Sequence, residues 1–171
     1  MNGKPIPSPM TPPGGVRRFG ARVFDDPRHD PYQASAKYRE PIHCSQCGAV
    51  YKAGRWQWTE RSATSIPGTC PACKRIHDGL PAGRLTLEGP YLAAHEKELV
   101  QIARHQAEQE RAEHALHRIM NIESRPGSLE ITTTDIHLPR RIGEALARAH
   151  DGELTIRFSE DAYEIEVRWH R

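Results

Sequence analysis

The chain has 171 residues, enough for one ordinary domain or two small ones with a tail. A hydrophobic fraction of 37% and a charged fraction of 27% make it polar for a globular protein without excluding a fold. The net charge of +2 hides an asymmetry: residues 1–40 carry +3, residues 43–85 carry +4 and residues 86–171 carry −5. A basic front half points to a polyanionic partner, most simply nucleic acid. No stretch approaches the roughly 18 apolar residues of a membrane span. The opening MNGKPIPSPM lacks an apolar core and a small-residue cleavage site, so no signal peptide is expected and the predicted location is cytoplasmic.

Residues 1–40 read as a flexible basic arm. They are rich in Pro, Gly and Arg and have no apolar period, so burial does not offset the entropy of ordering them. Arg17, Arg18, Arg22 and Arg28 have the spacing of an extended phosphate-binding tail; a solvated leader is the alternative.

Residues 41–90 read as a metal module. All four cysteines fall in two C-x2-C pairs, Cys44 with Cys47 and Cys70 with Cys73, and a reducing cytosol favours metal over disulfides. Two such knuckles place four thiolates around one tetrahedral Zn²⁺, in a zinc ribbon whose site is closed to water and therefore structural. An iron–sulfur cluster uses the same residue types, and His43 and His77 flank the site as alternative ligands. Gly48 sits where the first knuckle turns, Pro71 stiffens the second, and Lys74 and Arg75 stand where they offset the negative charge of the thiolates. Between the pairs, Trp56 and Trp58 share one strand parity. They are either the small core of the module or, for one of them, a stacking surface for a base with Arg55 on phosphate.

Residues 91–116 read as a long linking helix entered through Gly89-Pro90, with a thin apolar stripe of Leu92, Leu99, Ile102, Ala103 and Ala107. Residues 117–171 read as a ββαββ domain. Ile119 to Glu123 and Leu129 to Thr133 are strands joined through Arg125-Pro126-Gly127. Asp135 caps a helix with Leu138, Ile142, Ala145, Leu146 and Ala149 on one face, and Gly152 ends it. Leu154 to Phe158 and Tyr163 to Trp169 alternate as two further strands. The fold class expected is α+β, with one helix on one face of the C-terminal sheet and mixed charge from Glu130, Arg157, Glu164, Glu166 and Arg168 on the other.

No phosphate loop, G-x-S-x-G, H-E-x-x-H or dinucleotide fingerprint is present, and every cysteine is committed to metal, so an enzyme is not expected. No small-molecule substrate is evident. The runs CSQCGAVYKAGRW, CPACKRIHDGLPAGRLTLEGPYL and HALHRIMNIES resemble the N-terminal zinc-binding region of the archaeal and eukaryotic large-ribosomal-subunit export adaptor family, nonsense-mediated decay protein three. TTTDIHLPRRIGEAL and GELTIRFSED resemble that family's second domain, and the chain as a whole is similar to small bacterial proteins related to it. The resemblance covers roughly residues 28–170 and implies ribosome binding through large-subunit rRNA or its proteins, with the metal ligands at Cys44, Cys47, Cys70 and Cys73. The expectation is a zinc-stabilised ribosome-associated protein that regulates, protects or silences ribosomes, with RNA contacts at Arg17, Arg18, Arg22, Lys52, Arg55, Trp56, Lys74 and Arg75. The alternative is a zinc-ribbon protein–protein adaptor in transcription or DNA metabolism.

Overall fold

The computed structural model describes residues 30–33, 38–159 and 162–171. The first unit is small. Strands β1 (Ile42–Cys44), β2 (Val50–Lys52), β3 (Arg55–Gln57) and β4 (Ile66–Gly68) form one sheet in the order β3-β2-β1-β4, followed by helix α1 (Pro71–Asp78). β1 runs antiparallel to β2 and parallel to β4. The β2–β3 hairpin turns on Ala53 (φ 53°) and Gly54 (φ 78°). Two positive φ values in a two-residue loop match the twist of the flanking strands. The Glu40 carboxylate holds this turn by accepting the backbone N–H groups of Ala53 (2.8 Å) and Gly54 (3.1 Å). Inside, Tyr38 meets Tyr51 and Trp56 edge to face and those two rings meet tilted, with centroids 4.7–5.8 Å apart.

The second unit begins earlier than expected. Strand β5 (Gly83–Glu88) is followed by α2 (Pro90–Glu113), β6 (Ile119–Arg125), β7 (Ser128–Thr133), α3 (Leu138–His150), β8 (Glu153–Phe158) and β9 (Ile165–His170). Its five-stranded sheet has the order β6-β7-β5-β9-β8, with β5 antiparallel to β7 and parallel to β9. Two helical crossovers, β5–α2–β6 and β7–α3–β8, are each followed by a hairpin whose second strand folds back beside β5.

This corrects two boundaries. Residues 83–88, assigned by sequence to the metal module, are the central strand of the C-terminal sheet, because Leu85 and Leu87 fill the middle of its core. The helix over 91–116 is not a linker. α2 lays Leu92, Leu99, Ala103 and Ala107 into the same core as Leu138, Ile142 and Leu146 of α3, so two helices cover one sheet face where ββαββ allowed for one. The α+β class stands.

The helix-covered face is apolar through Leu129, Ile131, Ile165, Val167 and Trp169, and the opposite face is polar. There Arg84 pairs across strands with Glu130 at 2.9 Å. Asp135 starts α3 as the sequence indicates, its Oδ1 accepting the N–H groups of His137 (2.8 Å) and Leu138 (2.9 Å). The end of the predicted arm is tied down rather than free: Asp30 pairs with Arg75, and the Tyr32 hydroxyl donates to Asp78 at 2.8 Å. Arg17, Arg18 and Arg22 lie outside the described residues.

Gly83, at the start of the central strand, faces Pro139, the Thr133 hydroxyl and the Asp135 carbonyl so closely that a Cβ has no room. The substitution Gly83→Ala is expected to overpack this junction and lower stability by about 1–3 kcal/mol. A urea melt of wild type against variant measures it; an unchanged midpoint would show that the junction yields freely.

Candidate metal centre

The four sulfurs arrive from two kinds of knuckle. Cys44 ends β1 and Cys47 lies in the following turn, where Gly48 takes φ 80°. The turn closes with Gly48 N–H donating to Cys44 O at 2.9 Å and Cys44 N–H donating to Ala49 O at 2.7 Å. The second pair opens a helix. Cys70 is the N-cap of α1, Pro71 its first residue, and the Cys73 N–H donates to Cys70 Sγ at 3.4 Å. Pro suits that position because its missing N–H has no partner there in any case. The N-terminal end of α1 thus presents backbone N–H groups and positive dipole to the sulfurs.

The ligand atoms of Cys44, Cys47, Cys70 and Cys73 all lie within 4.8 Å of one another. The Cys47–Cys70 sulfur separation is 3.7 Å. A tetrahedron with metal–sulfur bonds near 2.3 Å has an edge of about 3.8 Å. The four cysteines are therefore spaced to hold a metal ion in a closed four-sulfur shell. Cys44, Cys70 and Cys73 are buried, and Cys47 is partly exposed.

Arg118 completes the site, a role that neither composition nor spacing announces. It lies just before β6. Its Nη2 donates to Cys47 Sγ at 3.1 Å and lies 3.8 Å from Cys70 Sγ, and its Nη1 donates to Cys73 Sγ at 3.4 Å. Nε and Nη2 also donate to the Ala115 carbonyl at 2.9 and 2.8 Å, which fixes the guanidinium plane. Burial works against the Arg118 charge, but the sulfurs outweigh it and hold its pKa above the usual arginine value. Burial pushes the Cys70 and Cys73 thiols up. At Cys44 burial acts the same way, yet the backbone N–H groups of Cys70, Cys47 and Gln46 together prevail and bring it down to about 6. The local charge balance is thus carried by Arg118, the role that sequence gave to Lys74 and Arg75.

The other expected site residues separate into buried and exposed. Arg75 is 4% exposed, paired with Asp30, and donates to the Leu80 carbonyl at 3.1 Å; its charge is spent inside the protein. Trp56 is 8% exposed within the aromatic cluster. Both are corrections to the expectation that they face a polyanion. Lys52 and Arg55 are exposed and directly paired in register at the end of the β2–β3 hairpin, and Lys74 is exposed on α1. His43 is buried with Nδ1 3.0 Å from the Ser65 hydroxyl, and His77 is exposed beside Asp78; neither belongs to the sulfur cluster. Trp58, 37% exposed, locks the module to the second unit. Its Nε1 donates to the Arg111 carbonyl at 2.6 Å, and the guanidinium groups of Arg111 and Arg118 lie 5.2 and 5.6 Å from its ring centre.

No family model, curated protein or solved structure matches the chain.

Because Arg118 orients and charge-balances the sulfurs from outside the ligand set, Arg118→Ala is expected to weaken metal retention by about 10–100-fold. Arg118→Lys, which keeps the charge but not the fork, falls between. Competition with a chromophoric chelator reads this directly, and equal retention in all three proteins would remove Arg118 from the site.

Proposed function

We propose that the protein is a zinc-stabilised, ribosome-associated factor that binds rRNA and regulates, protects or silences ribosomes. Zinc is the ion favoured by four thiolates at tetrahedral spacing with a closed shell, and such a site is structural, leaving no position for water or substrate. The RNA reading rests on one observation above others: the metal module carries its positive charge outward. Lys52, Arg55, Arg61 and Lys74 are all exposed, while residues 86–171 carry a net −5. A rigid basic surface of this kind suits phosphates, which attract it without reading sequence. The resemblance to the ribosomal export adaptor family supplies the ribosome as the RNA's source. Among the described residues no helix is long and apolar enough to cross a membrane.

A second reading has its own observation. The exposed large apolar residues Trp58, Ile66, Ile76 and Leu80 all fall in or beside the metal module. Apolar groups gathered on a small basic unit favour a protein partner, as an adaptor in transcription or DNA metabolism requires.

Sedimentation with ribosomes separates the two. Binding is expected at about 50 mM salt, with a fall of several orders of magnitude by about 200 mM if six or more phosphates are engaged. The triple charge reversal Lys52→Glu, Arg55→Glu, Lys74→Glu is expected to weaken RNA binding at least roughly tenfold and to flatten the salt dependence by about one unit of slope per lost contact. Absence of co-sedimentation even at low salt rejects the ribosome reading. Binding that ignores charge reversal but fails in Ile76→Ser or Leu80→Ser supports the adaptor.

A further inference from the structure

A second group of ligating side chains gathers where α2 ends. Glu110 lies on the last turn of the helix, His114 is its C-terminal cap, and His117 follows in the turn that leads to β6. Glu110 and His114 are one turn apart on the same helix face. The chain then turns back, with His117 N–H donating to the His114 carbonyl at 2.9 Å. The two imidazoles stack with centroids 4.5 Å apart. One ligand atom from each of Glu110, His114 and His117 lies within 4.8 Å of the other two.

The Glu110–His117 distance suits an ion better than a hydrogen bond. His117 Nδ1 stands 3.4 Å from Glu110 Oε2. That is long for a charge-assisted hydrogen bond, and it equals the edge of about 3.4 Å expected for a tetrahedral ion with bonds near 2.1 Å. The other His117 nitrogen, Nε2, faces Asp135 Oδ1 at 3.7 Å. Asp135 is 6% exposed and its Oδ2 has no hydrogen-bond partner. At 3.7 Å Asp135 supplies negative charge beside the imidazole rather than a hydrogen bond to it. The C-terminal end of a 24-residue helix also favours positive charge. The second Glu110 oxygen lies 3.6 Å from Arg141 Nε, an exposed side chain whose charge a bound cation would displace.

We propose that Glu110, His114 and His117 form a second divalent-metal site of the zinc class, separate from the four-cysteine site and with the Asp135 carboxylate beside it. Two imidazoles and one carboxylate are borderline donors suited to Zn²⁺. Three protein ligands leave the shell open, in contrast to the closed sulfur shell. His114 and His117 also line a cleft of about 450 Å³ between the metal module and the end of α2, with Arg55, Gln57 and Trp58 on its other wall. The open position gives a small anion or water access to the ion from that cleft. This site does not rest on the RNA reading.

The test is metal stoichiometry in the full chain. After equilibrium dialysis against micromolar free Zn²⁺, wild type is expected to hold two ions and both His114→Ala and His117→Ala to hold one. His114 is exposed, so its removal leaves the fold in place, which far-ultraviolet circular dichroism checks. With Co²⁺, the intense sulfur-to-metal charge-transfer band of the cysteine site is expected to stay unchanged in both variants, while the weaker visible bands of the second ion disappear. A single equivalent in wild type, or a second equivalent that survives both substitutions, overturns the proposal.

Discussion

Four sulfurs crowded around one point are an unstable arrangement without a cation between them. As thiolates they repel, and as thiols they are buried weak hydrogen-bonding groups with little to gain from one another. A metal ion held between them would turn that conflict into a source of order for the module. The strands there are three residues long, and three of the seven residues at the centre of its small core are the cysteines Cys44, Cys70 and Cys73. Apolar burial on this scale contributes little, whereas structural zinc contributes an apparent binding free energy of about 10–16 kcal/mol in small finger peptides. Arg118 carries the same interaction across to the second unit, since its guanidinium belongs to the chain that enters β6.

The two units meet through few but specific contacts. Trp58 lies against Arg111 and Arg118, Ala115 joins the core of the metal module, and Arg75 sits 5.9 Å from the Tyr163 ring. The segment that runs from the end of α2 into β6 is therefore a shared element. On one side it supplies Arg118 to the sulfurs, and on another it lines the cleft with His114 and His117. The polar face of the five-stranded sheet is occupied by charges that answer one another, as Arg84 and Arg125 do with Glu130.

Much of this was legible in the sequence, and the failures have physical causes. The cysteine spacing defined the sulfur cluster because two-residue knuckles have few geometries. The strands after residue 128 were visible because alternation survives where one face is buried. β5 shows the same alternation in GRLTLE, but its partners are Ile131 and Val167, remote in sequence, and the neighbouring cysteines drew it into the wrong unit. α1 carries Pro71 at its start and Gly79 in the left-handed conformation at its end, signals that a reading fixed on a knuckle passed over. Parity placed Trp56 and Trp58 together, yet β3 stops at Gln57, so Trp58 is released from the alternation and turns to α2. The partners of Arg118 and Arg75 had no signature. A lone arginine among many reveals its partner only when the chain is folded, and Asp30, 45 residues from Arg75, is as invisible from there as the sulfurs are from Arg118.

The position of β5 sets an order on synthesis. Of its two neighbours β7 follows after one helix and β9 only after a second, so residues 83–88 must wait for 165–170. The metal module has no such delay: its four ligands are present by Cys73 and its capping arginine by residue 118. A nascent chain therefore completes the metal-ligand cluster first, trailing a half-sheet whose central strand stays unpaired on one edge until residues 165–170 are made.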